Sequence, residues 1–118
     1  MPRLFLLPSI VALSLVAAAA SAQPLTNPQK NAARSAEAYL AMQGFSREGL
    51  IEQLSSDYGD GYARDDATVA VDSLAVDWNV QAVRAARNYL DMMGFSCNGL
   101  IEQLSSDFGE KFTSSQAR

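Results

Sequence analysis

The chain has 118 residues, a formal net charge of −4 and no histidine. Because a nucleic-acid partner requires a basic face to meet its phosphates, the acidic balance argues against DNA or RNA binding. The lack of histidine removes the commonest general base and the commonest metal ligand, so we predict no catalytic site, no metal and no cofactor.

The first 22 residues have the layout of a secretory signal peptide. Arg3 supplies a positive start, an apolar run follows over residues 4–19, and Ala20-Ser21-Ala22 forms the small-x-small pattern that signal peptidase reads. We therefore predict cleavage between Ala22 and Gln23, and an exported protein that is extracellular, periplasmic or on the cell surface. A membrane anchor is the alternative, but the run is shorter than the roughly 20 residues that a spanning helix needs.

The rest of the chain repeats itself at a constant offset of 50 residues. The nonapeptide Gly-Leu-Ile-Glu-Gln-Leu-Ser-Ser-Asp occurs at Gly49–Asp57 and again at Gly99–Asp107. A fixed period of this size indicates a repeated supersecondary unit. We predict one unit over residues 30–75 and a second unit over residues 76–118.

The first unit reads as three helices that follow a disordered lead over residues 23–29. The first helix is predicted from about Lys30 to Met42, with Gly44 ending it in a left-handed conformation. Ser46 can cap the second helix, and the third is predicted from about Arg64 to Leu74. The buried stripe of the second helix is predicted to consist of Leu50, Ile51 and Leu54.

The second unit duplicates the first two helices, with Asp77 as the N-cap of its first helix. Along that helix the predicted inward stripe is Ala82, Ala86, Tyr89, Leu90 and Met93. Thr113 and Gln116 have the spacing of a capping box, but no full third helix follows. The predicted fold is therefore all-α, with tandem short three-helix, helix-turn-helix-like repeats of which the second lacks its third helix.

The incomplete second unit raises the question of what covers its apolar face. We expect that the termini pack across the two units, or that a partner or a second copy in a homodimer covers it. Cys97 is the single cysteine and lies at a predicted helix start, so it is expected to be exposed. Its thiol either forms an intermolecular disulfide or stays free.

Six polar residues of the repeated nonapeptide are not needed as caps or buried positions. They are Glu52, Gln53, Asp57, Glu102, Gln103 and Asp107. We predict that they face a protein partner; a solvated face with local ion pairs is the alternative. The helix-turn-helix layout does not predict DNA reading, because these acidic side chains are not the ones that contact base edges.

The unit Ala-x-Arg-x-Ala-x-x-Tyr-Leu-x-Met-x-Gly-Phe-Ser-x-x-Gly-Leu-Ile-Glu-Gln-Leu-Ser-Ser resembles the Ltp-like host cell surface-exposed lipoprotein family over about residues 30–118. The joint Val76-Asp77-Trp78-Asn79 is similar to the family's connection between units. The resemblance implies helix-turn-helix-like domains outside the cell membrane. It also implies superinfection exclusion, in which phage-encoded members engage the injection machinery and block incoming phage DNA.

The chain departs from the family pattern because no lipid-attachment cysteine follows the predicted cleavage site, so no stable lipid anchor is expected. The function that the resemblance implies is an exported, non-catalytic protein-binding module whose partner is a phage injection protein. The alternative is an envelope-associated structural or interaction domain that binds an envelope protein and has no phage role.

Overall fold

The computed structural model describes residues 23–118, and the predicted signal peptide lies outside these described residues. Residues 23–118 form helices without strands, which confirms the all-α prediction. The helices are α1 (Asn27–Met42), α2 (Arg47–Ser55), α3 (Arg64–Asp72), α4 (Trp78–Met92), α5 (Cys97–Ser105) and α6 (Ser114–Ala117). None of these helices is long and apolar enough to cross a membrane.

The first helix begins earlier than its apolar periodicity indicates. Thr26 and Gln29 form a capping box, in which each side chain accepts a hydrogen bond from the other residue's backbone N–H, at 3.3 and 3.0 Å. Pro28 lies in the first turn, where its missing N–H costs nothing. The prediction of a disordered lead over residues 23–29 is therefore wrong from Asn27 onward, because local capping orders this segment.

Residue 44, just beyond the end of α1, is glycine for a different reason from the one predicted. Among the described glycines only Gly61 has a positive φ, so the prediction of a left-handed Gly44 is wrong. A Cβ built on Gly44 would lie 2.5 Å from the backbone oxygen of Gln81 and 2.6 Å from the backbone nitrogen of Ala85. Glycine is required here because the backbone of α4 passes directly against it.

The core of the first unit lies where α1, α2 and α3 meet. Its buried members are Ala36, Leu50, Ile51, Leu54, Ala67 and Val71, which confirms the predicted stripe of α2. Phe45 packs against this core just before the N-cap of α2, with its ring edge-on to Tyr39 at 5.6 Å between centroids. The alanines on α1 and α3 let these two helices approach closely, so leucines of α2 supply most of the buried bulk.

The second unit has a smaller core than the first. It consists of Ala82, Ala85, Leu104 and Phe112. The helix predicted from the Thr113–Gln116 capping box forms, but it is the single turn α6, which packs on α4 and α5 of its own unit. The C-terminal helix thus packs within its own unit, while Glu110 and Lys111 just before it contact the first unit.

Two residues of the predicted inward stripe of α4 face water instead. Leu90 is 51% exposed and Met93 is 60% exposed. In the first unit, the corresponding Leu40 is half-buried where α4 crosses the end of α1. No helix among the described residues crosses beside Leu90. The prediction from helical spacing that Leu90 and Met93 are buried is therefore wrong.

An ion-pair network joins α2 to α3 and predicts a pH effect. Arg47 donates to both carboxylate oxygens of Asp72, at 2.7 and 2.8 Å, and this bond lowers the pKa of Asp72. Because the folded pKa is depressed, the pair adds stability above the unfolded value of about 3.9, and this is lost as pH falls through the folded pKa.

We expect Asp72→Asn to lose this acid-sensitive contribution, which is below about 1 kcal/mol because both side chains are partly exposed. Urea unfolding at decreasing pH measures it, with Asp91→Asn as the control on an exposed residue of α4. Identical pH dependence of unfolding in the native chain and Asp72→Asn would contradict the role of this pair.

Candidate functional site

The two units meet at a small contact surface, here called the inter-unit joint. Its first-unit side consists of Leu40, Gly44, Ser46, Gly49 and Glu52, and its second-unit side of Trp78, Gln81, Arg84, Ala85, Glu110 and Lys111. Arg84 donates from Nη1 to the backbone oxygen of Leu40 at 2.6 Å. Lys111 forms an ion pair with Glu52, and Trp78 packs against the first-unit core.

Ser46 links helix capping to the joint. Its Oγ accepts a hydrogen bond from the N–H of Gly49 at 2.9 Å, which caps α2, and donates its proton to the backbone oxygen of Glu110. The side chain is buried, and a hydroxyl can donate and accept at the same time. The buried hydroxyl of Ser46 therefore has a partner for its proton and for its oxygen. The predicted cap is confirmed, and the structure adds its second role between the units.

A groove of about 540 Å³ opens beside the joint. One wall is formed by α2 and the loop that follows it, and the other by the loop after α5. The groove brings together three of the residues predicted to contact a partner, Glu52, Gln53 and Asp107. Its lining does not include the other three, Asp57, Glu102 and Gln103.

The two predicted glutamines make contacts inside their own units. Gln53 donates from Nε2 to the hydroxyl of Tyr39 at 3.3 Å, and Gln103 donates to that of Tyr89 at 3.1 Å. Each tyrosine in turn donates to a loop carboxylate, Tyr39 to Asp60 at 2.8 Å and Tyr89 to Glu110 at 2.5 Å. These chains of hydrogen bonds tie each loop to the helices beneath it.

Both tyrosine hydroxyls are held in the protonated, donating form. The hydrogen bond to the Asp60 carboxylate is the main cause that raises the pKa of Tyr39. For Tyr89, burial is the main cause of the raised pKa, and the bond to Glu110 adds to it. The two loops therefore keep the same anchor throughout the neutral pH range.

The loops after α2 and α5 have the same backbone structure. The backbone N–H of Tyr62 donates to the backbone oxygen of Leu54, and that of Phe112 donates to the backbone oxygen of Leu104, both at 2.8 Å. A Cβ on Gly59 would lie 2.0 Å from the backbone oxygen of Gln53. Gly109 has the same close contact in the second loop, so both loops are packed directly onto the ends of their helices.

Each loop presents one aromatic side chain to solvent. Tyr58 and Phe108 are fully exposed, and both line the groove. These two residues were not among the partner contacts expected from the sequence. The available signal was the repetition itself: both copies place an aromatic residue between aspartate and glycine in a loop that has no core to face.

The groove carries more negative than positive charge. Glu52 and Lys111 neutralise each other, and the Glu110 carboxylate accepts the bond from Tyr89. Asp107 is exposed and has no ion pair with any of the described residues. Within residues 23–118 no group of three acidic or cysteine side chains is arranged to hold a metal ion. The groove thus presents aromatic faces and carboxylates to solvent.

Comparison with known proteins gives a family match for the sequence and a match for the structure. A family model described as host cell surface-exposed lipoprotein matches residues 27–74 and again residues 77–118, which contain α1–α3 and α4–α6. The structure is similar to that of Ltp, a superinfection exclusion protein from the Streptococcus thermophilus temperate phage TP-J34. That match has a TM-score of 0.70 and 31% sequence identity, and covers 80% of this chain and 92% of that chain. No curated protein sequence matches this chain.

Proposed function

Because the chain belongs to the family of host cell surface-exposed lipoproteins, we propose that it is an exported, non-catalytic protein-binding module that excludes superinfecting phage. Membership confirms the resemblance predicted from the repeated motif, and with it a location outside the cytoplasm. The relative from phage TP-J34 is itself a superinfection exclusion protein. In this proposal the partner is a phage injection protein, and binding it stops phage DNA from reaching the cytoplasm.

The observation that carries the proposal is the pair of exposed aromatic residues on the groove, Tyr58 from the first unit and Phe108 from the second. Tyrosine and phenylalanine are enriched at the centres of protein interfaces, where they supply large contact areas. Their loops are already ordered by backbone hydrogen bonds, so little conformational entropy is lost when a partner binds.

The acidic residues around the aromatics add selectivity. Glu52 and Asp107 lie in the groove, and Asp57 directly precedes Tyr58 in the first loop. Exposed charges at the rim of an interface mainly steer the approach of a partner and reject partners of like charge. We therefore propose Asp57 and Asp107 as the steering charges, with a smaller share of the affinity than the aromatic residues. Glu52, whose charge is paired with Lys111, is kept as a proposed contact because of its place in the groove.

We expect the double variant Tyr58→Ala/Phe108→Ala to lose phage exclusion while it keeps its fold. Interface aromatics commonly contribute about 2 kcal/mol or more when truncated, so partner binding should weaken by more than about tenfold. The measurement is phage DNA uptake in sensitive cells that export the native or variant protein, together with thermal unfolding of each purified chain. Val69→Ala/Val80→Ala is the matched control, since these exposed apolar residues do not line the groove.

Three outcomes decide between the functions. If the Tyr58→Ala/Phe108→Ala variant still excludes phage, the groove is not the binding site. Phage DNA uptake unchanged by the native protein would overturn the exclusion function. In that case, recovery of an envelope protein through Tyr58 and Phe108 would support the envelope-associated alternative.

A further inference from the structure

The first-unit side of the inter-unit joint occurs a second time on the second unit. The five residues Leu40, Gly44, Ser46, Gly49 and Glu52 are repeated identically as Leu90, Gly94, Ser96, Gly99 and Glu102. We call this second set the open face.

The open face has the local structure of the joint without its covering helix. Ser96 caps α5 with a 2.9 Å bond from Gly99, as Ser46 caps α2, yet Ser96 is exposed where Ser46 is buried. A Cβ on Gly94 would meet no atom within 4 Å, whereas one on Gly44 would meet the backbone of α4. The structure thus preserves the contact surface and leaves it uncovered by the described residues.

An exposed apolar residue outside this set, Met93, directly precedes Gly94 of the open face. Met93 is 60% exposed at the position that Gln43 occupies in the first unit, and Leu90 is 51% exposed beside it. These two side chains add apolar area to the uncovered surface, which favours its burial against another chain.

The complementary side of the joint is available on the first unit. The second unit contacts the first through the Arg84 side chain and through backbone atoms of Gln81, Ala85 and Glu110. The corresponding arginine is Arg34, which is exposed and bonded to none of the described residues. The remaining counterparts, Asn31, Ser35 and Asp60, differ in side chain but offer the same backbone atoms.

Two contacts of the joint have no equivalent on the first unit. Lys111, which pairs with Glu52, corresponds to Gly61, and Trp78 corresponds to Pro28. Association through the open face is therefore weaker than the joint itself, and its extent depends on protein concentration. Gly61 has a φ of 71° and Lys111 a φ of 60°, so the backbone of the first unit already has the shape that a lysine adopts there.

From these matched surfaces we propose that two copies of the chain associate head to tail. The first unit of one copy docks on the open face of another copy and repeats the inter-unit joint between chains. Such a contact is heterologous, so it extends into longer assemblies unless the rotation closes a ring. This assembly goes beyond the proposed exclusion function and does not depend on it.

Sedimentation equilibrium of the purified exported protein tests the proposal. We expect the average mass of the native chain to rise with concentration and that of Gly94→Arg to remain that of one chain. The added arginine occupies the open face, and the fold tolerates it because nothing lies within 4 Å of the new Cβ. Val69→Arg is the control, because it adds the same charge at an exposed site of α3 and should associate like the native chain.

A gain-of-association variant tests the register of the contact. Gly61→Lys should restore the missing ion pair, now with Glu102 of the neighbouring copy, and raise the association constant by up to about fivefold. The gain should disappear in Gly61→Lys/Glu102→Gln. A native chain that stays monomeric at every concentration overturns the proposal, as does association of Gly94→Arg equal to that of the native chain.

Discussion

Leu50→Ala is expected to lower the free energy of unfolding by about 2–5 kcal/mol, and Leu100→Ala to lower it by clearly less. The two leucines occupy the same place in the repeated nonapeptide. Leu50 is fully buried in the core between α1, α2 and α3, whereas Leu100 is half-buried at the edge of the smaller second core. The cavity left in the first unit has neighbours on every side, and small shifts of those neighbours fill it only in part.

Urea unfolding followed by circular dichroism measures both variants under one condition. If the two units unfold in separate transitions, each variant should shift the transition of its own unit. Equal losses for Leu50→Ala and Leu100→Ala would contradict the difference in burial between the two cores.

Gly44→Ala is the second substitution with a large expected effect, and Gly94→Ala is its matched control. The methyl group on residue 44 would lie 2.5 and 2.6 Å from backbone atoms of α4, which no side-chain rotation can relieve. Overpacking of this kind costs about 1–3 kcal/mol, and here it should force the joint apart. At residue 94 the same methyl group meets nothing within 4 Å, so the stability should change little.

Thermal unfolding gives the stability of both variants, and hydrogen exchange reports on the joint. In Gly44→Ala the capped amide of Gly49 should lose protection, because Ser46 loses its contact with Glu110 and the buried cap becomes exposed to water, as it already is at Ser96. In Gly94→Ala the corresponding amide of Gly99 should exchange as in the native chain. A Gly44→Ala protein as stable as Gly94→Ala, with an unchanged exchange pattern, would show that α4 can move away without cost.

Much of the secondary structure was predictable because its causes are local. Ser46, Ser96 and Asp77 each accept bonds from backbone amides two or three residues further along the chain, so neighbouring residues suffice to identify them as caps. The fixed period of the repeat likewise indicated a repeated supersecondary unit, and the motif within that unit carried the resemblance to the family that the comparison then confirmed.

Apart from the start of α1, where a local capping box was overlooked, the errors arose where the reason for a residue lies far away in the sequence. Gly44 was assigned a local, left-handed role, but its partner is α4, some forty residues later. Leu90 and Met93 fit the helical spacing of a buried stripe, and the spacing contains no information on whether a helix lies opposite. Tyr58 and Phe108 were not predicted as contacts because the local sequence does not reveal that two loops from different units line one groove.

By itself, the sequence determined the all-α class, the two copies of the unit, the helix caps and the membership of the family. Only the tertiary structure decided which copy of each repeated residue is buried, since Gly44 and Gly94, or Ser46 and Ser96, have the same local sequence and different surroundings. The physical reason is that capping and helix formation depend on contacts within one turn of chain. Burial of a residue, and the shape of the groove, depend on which distant helix or loop packs against that residue. The two copies of the repeat have the same local sequence whether or not such an element packs there.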